Sequence, residues 1–134
     1  MGERLGEDLI AYLDTHVAIW LAEGRDRRLS ARVRALIERS EMRLSPMVLL
    51  ELEYLHELGR VRLRARDILS KLEHELDVRL CSLPFAQIAT AALDEKWTRD
   101  PFDRMIVAQA RSNGLSPLIS SDEEIAAHYP RTIA

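Results

Sequence analysis

One cysteine, no long apolar run and no excess of positive charge narrow the reading of this chain before any motif is considered. Cys81 stands alone, so an internal disulfide and a cysteine-based zinc site are both excluded, and a reducing compartment suits the chain. No stretch reaches the ~20 apolar residues of a membrane span. The N-terminal "MGERLGEDLIAYLD" carries acids where an export signal would carry a long apolar region. A cytoplasmic protein without membrane contact is expected. With 19 Lys and Arg against 22 Asp and Glu, the formal net charge is -3. There is no global field to attract nucleic acid, and any such contact has to come from local patches. Low-complexity tracts and internal repeats are absent too.

What remains is a chain of 134 residues, 47% hydrophobic, which fits one globular domain with a real core. Short apolar runs alternate with longer periodic ones, the βαβ pattern of an α/β domain. "LIAYLD" reads as a buried strand ending at Asp14, followed by a helix over Thr15 to Glu23. Ser30 caps a helix over 31–40, "MRLSP" is a short strand, and Pro46 opens a helix that runs to about Leu58 and stops at Gly59. "RVRLRAR" is a brief extended turn leading into a helix through Ile68, Leu69, Leu72 and Leu76. "DVRLCSL" is a third strand, "PFAQIATAALDEKW" a proline-opened helix, "DPFDRMIVAQARSNG" a helix closed by Asn-Gly, "SPLISSD" a fourth strand and "DEEIAAHY" a last helix, with "PRTI" as an edge strand. Parallel strands joined by helical crossovers predict a three-layer α/β/α sandwich around a mainly parallel sheet of four to five strands.

In such a sheet, ligands bind outside the carboxyl ends of the strands. Asp14 ends the first strand and Asp122 the fourth, each just before a helix, so each also reads as an N-cap. Asp100, Pro101 and Asp103 make an ordinary helix start at that same edge. Glu51 has no capping explanation. At 100° per residue it falls in the middle of an arc formed by Met47, Val48, Leu50, Tyr54, Leu55 and Leu58, where lost hydration demands a cation or a donor. Asp103 shares a face with Ile106, Val107 and Ala110. An inward acidic cluster has three ways to neutralise itself: basic partners, raised pKa values or divalent cations. Oxygen ligands of this kind suit Mg²⁺ or Mn²⁺, and such a site points to phosphoryl chemistry by a nuclease or phosphatase.

In "YLDTHVAIWL", "SPMVLLELEYL", "RDPFDRMIVAQA" and "LISSDEEI" the sequence resembles the PIN-domain nucleases, most closely the VapC-type toxins of VapBC toxin–antitoxin pairs, in order and spacing over nearly all of residues 9–133. The resemblance implies a single PIN domain over 1–134, with 1–8 as a short N-terminal extension. It implies a metal-dependent endoribonuclease, with Asp14, Glu51, Asp103 and Asp122 around Mg²⁺ or Mn²⁺ and Asp100 as an additional supporting acid. It further implies that Thr15 and Ser120, with Ser121 less firmly matched, support the acids, and that a VapB-type antitoxin is the partner. "KWTRD" departs from the family, which often has histidines at that place, so a substrate role there is left open.

Among the other residues, His16 reads as a structural donor, Trp20 and Trp97 as packing residues, and Cys81 as a small core residue within its strand. The arginines of "GRDRR", "ARVRA" and "RVRLRAR" are candidates for phosphate contacts or simply a solvated face, and Arg104 and Arg111 are expected nearest the acids as RNA-binding residues. Trp20, Leu21 and the Leu49 side of the glutamate helix look like apolar surface in excess of what one sheet covers, which together with the resemblance predicts a homodimer. Two alternatives stand beside the toxin reading: a housekeeping RNA-processing PIN nuclease without antitoxin, and a non-catalytic α/β binding module whose acids are caps and salt-bridge partners.

Overall fold

The computed structural model describes residues 9–134, so the extension at 1–8 lies outside the described residues. Five short strands form one sheet in the order β3-β2-β1-β4-β5, every neighbouring pair parallel. β1 (Ile10–Leu13) lies at the centre, and β2 (Glu41–Leu44), β3 (Arg79–Leu80), β4 (Leu118–Ile119) and β5 (Thr132–Ile133) follow in chain order. The chain first builds outward from β1 to β2 and β3, then returns to place β4 against the other side of β1. Tyr12 pairs with both Arg43 and Leu118 in register. That reversal opens a crevice at the carboxyl ends of β1 and β4, the place where parallel α/β sheets bind ligands.

Helices fill every connection, as parallel pairing requires. They are α1 (Thr15–Ala22), α2 (Ala31–Arg39), α3 (Pro46–Glu57), α4 (Ala65–Leu76), α5 (Phe85–Ala92), α6 (Pro101–Ser112) and α7 (Glu123–His128), with a 3₁₀ turn at Asp26–Arg28. The start signals work as the sequence predicts. The Ser30 hydroxyl accepts from Val33 N at 3.1 Å and Pro46 stands in the first turn of α3, while Ser45, read within the strand, is the cap of α3 and its hydroxyl accepts from Met47 N at 3.2 Å. Gly59 takes φ 78° beyond the end of α3, the left-handed geometry that favours glycine there.

The core lies on both faces of the sheet. Ala11, Tyr12 and Leu13 of β1 and Leu118 and Ile119 of β4 are buried, and α1 packs on α3 and α4 while α6 packs on α3 and α5. Three polar side chains cross this core with their needs met. The Tyr12 hydroxyl hydrogen-bonds Cys81 Sγ at 3.0 Å and accepts from Asn113 Nδ2 at 2.8 Å, while Tyr129 donates to Ser116 O at 2.5 Å. Cys81 is therefore the buried core residue expected, just past the end of β3.

Two expectations are corrected. The helix read over "PFAQIATAALDEKW" stops at Ala92, because Glu95 turns inward and is buried by bonds from Trp97 Nε1 and Arg111 Nε, both at 2.8 Å. The apolar face offered as surplus is largely covered: Trp20, Leu21 and Leu49 are half-buried and packed against the core. The exposed large apolar side chains are Leu50, Tyr54, Leu58, Phe85, Leu93 and Leu115 instead.

Candidate active site

The site grows out of the carboxyl ends of β1 and β4. Asp14 follows β1 directly and is 7% exposed. One of its oxygens accepts from Thr15 N at 2.8 Å, capping α1, and the other accepts from the Ser120 hydroxyl at 2.6 Å. Ser120 follows β4 and accepts from Asp122 N at 3.1 Å, so one serine ties the first acid to the backbone of the fourth. Asp122 caps α7 through Glu124 N and Ile125 N, with the rest of its side chain exposed. Asp100 caps α6 in the same manner through Phe102 N and Asp103 N. The capping reading of Asp14, Asp100 and Asp122 is therefore correct, and each cap still leaves a carboxylate at the crevice.

Glu51 and Asp103 are not caps. Thr15 donates its hydroxyl to Glu51 Oε1 at 2.5 Å, so α1 carries the donor that steadies the glutamate of α3. The arc drawn for Glu51 is corrected in one respect: the core takes Val48, Leu52 and Leu55, while Leu50, Tyr54 and Leu58 are exposed. Glu51 thus sits at the border between the buried and the open flank of α3, half-buried, which lets a carboxylate face a crevice and not the core. Asp103, in the first turn of α6, is half-buried too, and among the described residues no donor meets its side chain.

Electrostatics show that these acids face one another. Burial, then the negative charges of Asp100, Asp14, Glu51 and Asp122, push the Asp103 carboxyl up to about 7. Burial raises Glu51 as well, against the lowering effect of the Thr15 bond and with Asp14 and Asp100 adding to the rise. Asp14 is raised by burial despite its bonds to Ser120 and Thr15, with Asp122 contributing in the same direction. The Asp103 carboxylate senses all four others. At the same time, among the described residues no three His, Cys, Asp or Glu stand close enough to form a ready-made metal cage. The acids present an all-oxygen donor set of the chemical kind that a hard divalent cation takes.

Of the two arginines expected near the acids, only Arg104 is at that end of α6, and its Nε donates to Thr98 O at 2.8 Å, fixing the turn that leads into Asp100. Arg111 lies eight residues beyond Asp103, roughly 12 Å along the helix at 1.5 Å per residue. It pairs with buried Glu95 and lies over the Tyr129 ring at 5.2 Å. Arg111→Ala is expected to cost about 3 kcal/mol in denaturant unfolding, because it strands a buried carboxylate, and to leave metal binding unchanged. This network, in which Trp97 also stacks on His128 at 5.0 Å, was missed in the sequence. No local signal announced it, since Glu95 stands between the charged residues Asp94 and Lys96.

Beside the acids runs an open groove of about 820 Å³, its walls including His16, Trp20, Glu51, Tyr54, Asp100 and Phe102. A parallel sheet in this order, with carboxylates at the switch between β1 and β4 and an open groove beside them, defines a three-layer α/β protein with an acidic site. The chain belongs to the PIN domain family, whose model matches residues 11–129, from β1 through α7. Its fold is similar to that of a chain in the crystal structure of VapBC2 from Rickettsia felis bound to a DNA fragment from their promoter, with a TM-score of 0.61 and 16% identity over 93% of this chain and 96% of that one. No curated protein matches the chain. PIN domains are generally nucleases and typically depend on a divalent metal.

Proposed function

We propose that the chain is a Mg²⁺- or Mn²⁺-dependent endoribonuclease and the toxin of a type II toxin–antitoxin pair. The observation that carries this reading is the gathering of Asp14, Glu51, Asp103 and Asp122 at the sheet's switch point, where Asp103 meets no side-chain donor among the described residues and burial and the other acids push its carboxyl up to about 7. Asp14, Glu51, Asp103 and Asp122 would hold the ion, with Asp100 in support. The bound cation would supply a water of lowered pKa and charge stabilisation on the scissile phosphate. Thr15 and Ser120 hold Glu51 and Asp14 by the hydroxyl bonds already described and so orient the site. The PIN family and the fold match to a VapBC2 chain support the toxin and a VapB-type antitoxin as partner. Exposed Leu50, Leu58, Phe85 and Leu93 support a homodimer. No helix among the described residues is long and apolar enough to cross a membrane, in keeping with a cytoplasmic site of action.

The test is cleavage of end-labelled RNA by purified protein with Mn²⁺ or with chelator, beside calorimetric titration of Mn²⁺. Cleavage that needs the metal, together with saturable Mn²⁺ binding lost in Glu51→Gln, is the expected result. Mn²⁺ binding that ignores Glu51, or none at all, would favour a non-catalytic module, a reading that the capping roles of Asp14, Asp100 and Asp122 support. A housekeeping nuclease without antitoxin is separated from a toxin by a genomic observation: the toxin should have a short neighbouring reading frame for a DNA-binding partner.

A further inference from the structure

Residues 93–100 join α5 to α6 and are tied along α6 at both ends. At the far end, buried Glu95 is held by Arg111, and Trp97 stacks on His128 of α7. At the near end the ties bear on the acids. Asp100 N donates to Thr98 Oγ1 at 3.1 Å, the turn that a threonine hydroxyl makes with the backbone two residues on, and Arg104 Nε donates to Thr98 O at 2.8 Å. Arg104 N in turn donates to Asp100 O at 3.0 Å. The chain thus closes a ring: out of Thr98, through the cap at Asp100, once around α6 to Arg104, and back to Thr98 by the arginine side chain. Asp100 and Asp103 both lie inside it.

Within "KWTRD" the roles therefore differ. Arg99 and Asp100 line the groove, Trp97 packs against the core, and Thr98 holds the turn between them. What the ring opposes is charge. Asp103 is repelled by Asp100, Asp14, Glu51 and Asp122, and helix ends fray, so the first turn of α6 is the part these anions push away from the crevice. The cap restrains Asp103 weakly, because Asp103 N stands 3.4 Å from Asp100 Oδ1, beyond the usual length of such a bond. The ties through Thr98 are the shorter ones.

We propose that Thr98 and Arg104 are positioning residues that hold Asp100 and Asp103 at the crevice before a divalent cation arrives, and so set the affinity of the site for that cation. The inference rests on the metal-dependent reading of the site and adds to it two residues whose hydrogen bonds go to the backbone. An acid already in place loses little freedom when the ion binds. An acid on a loose turn loses that freedom at binding, and the ion's affinity falls accordingly.

The experiment is calorimetric titration of Mn²⁺ into the full chain, beside amide hydrogen exchange over residues 94–104 in chelator. Thr98→Val keeps the carbonyl but loses the hydroxyl acceptor. It is expected to weaken Mn²⁺ binding by roughly 10-fold, the low end for losing a residue that orients a ligand, and to speed exchange of the Asp100 amide. Thr98→Ser should bind Mn²⁺ as the parent does. Arg104→Gln, too short to reach the Thr98 carbonyl, should match Thr98→Val. Removing a positive charge near the acids would by itself strengthen cation binding, so a loss there has to come from position. The double variant should lose little more than either single one, because either break opens the same ring. Cleavage followed against Mn²⁺ concentration should show the same displacement, with the rate at saturation within about 3-fold of the parent's.

Both side chains are half-buried, and Arg104→Gln gives the same test where Thr98→Val melts early. A lowered melting temperature with Mn²⁺ affinity unchanged would overturn the inference and leave the turn a structural one. Tighter Mn²⁺ binding in Arg104→Gln would overturn it too, as would losses that multiply in the double variant. Weaker RNA binding by Arg104→Gln in chelator, with parental Mn²⁺ affinity, would make that arginine a phosphate contact instead. Mn²⁺ binding that needs Glu51 but ignores Thr98 sinks this inference alone, whereas a parent chain without saturable Mn²⁺ binding sinks the proposed function on which it rests.

Discussion

Asp14→Asn is expected to lower RNA cleavage by roughly 10³-fold, the scale of losing a group that acts on transition-state charge, and to raise the melting temperature of the metal-free protein. The two effects have one cause. Asp14 is buried, and its carboxyl is raised above the ordinary range by that burial, with Asp122 adding to the rise. At neutral pH the ionised form therefore weighs against the fold until a cation compensates it. Asparagine keeps the shape. Its carbonyl oxygen still accepts from Thr15 N, so the α1 cap survives, and its amide can donate to the Ser120 oxygen, which already accepts from Asp122 N. The Ser120 hydrogen then needs a new partner, a smaller loss than a buried charge. Removing Asp14 also removes one of the charges that raise Asp103 and Glu51. A net gain of about 1 kcal/mol, worth roughly 3–5 °C in a chain of this size, is the expected balance. Thermal unfolding in chelator and cleavage in Mn²⁺ check it with one protein. A variant that melts lower than the parent would mean that Asp14 is held for its structure and not for its charge.

The fold was largely legible because its signals are local. Ser30, Pro46, Asp100 with Pro101, and Gly59 punctuate the helices where the sequence places them. The apolar runs around Ala11–Leu13 and Leu118–Ile119 could only be buried strands. The candidate site was legible for a related reason: acids at the ends of strands and at the starts of helices are brought to one edge by any parallel sheet. Pairing partners of distant residues carry no such local signal. Nothing near Glu95 announces Arg111, 16 residues on, and the helix expected through Trp97 breaks because that tertiary pair outweighs helix propensity. The helical wheel of α3 misled in a similar way. It weighs Leu50, Tyr54 and Leu58 as core, but the sheet covers only one side of the helix, and the rest of the apolar arc is left to the groove and the surface. Arg99 stayed undecided because its meaning depends on which groove it lines.

Without metal, the stability of this protein should fall as the pH rises from about 4 to about 7. For carboxylates held by salt bridges or hydrogen bonds the sign is the opposite. Asp103 has a folded-state value of about 7 against an ordinary 3.8, so between those values the folded chain holds a proton that the unfolded chain has released. Wherever the folded state binds more protons, raising the pH favours unfolding. The stabilisation is complete at the low end of the window and gone above its upper end. Asp14 and Glu51 are raised as well and act in the same direction. The slope from Asp103 alone should stay well below the ~1.4 kcal/mol per pH unit that one whole proton carries, since solvent screens a half-buried carboxylate. A divalent cation and these protons compete for the same oxygens. Saturating Mn²⁺ should therefore raise the melting temperature little near the acid end of the window and most above neutrality, turning a falling profile into a flat or rising one. Asp103→Asn should flatten the metal-free profile and weaken the response to Mn²⁺ together. Melting curves between about pH 5 and 8, with chelator and with Mn²⁺, read all of this. A Mn²⁺ shift of equal size at both ends would place the ion away from these acids. A metal-free profile that rises with pH would mean that the carboxylates are compensated in solution by cations the fold itself supplies.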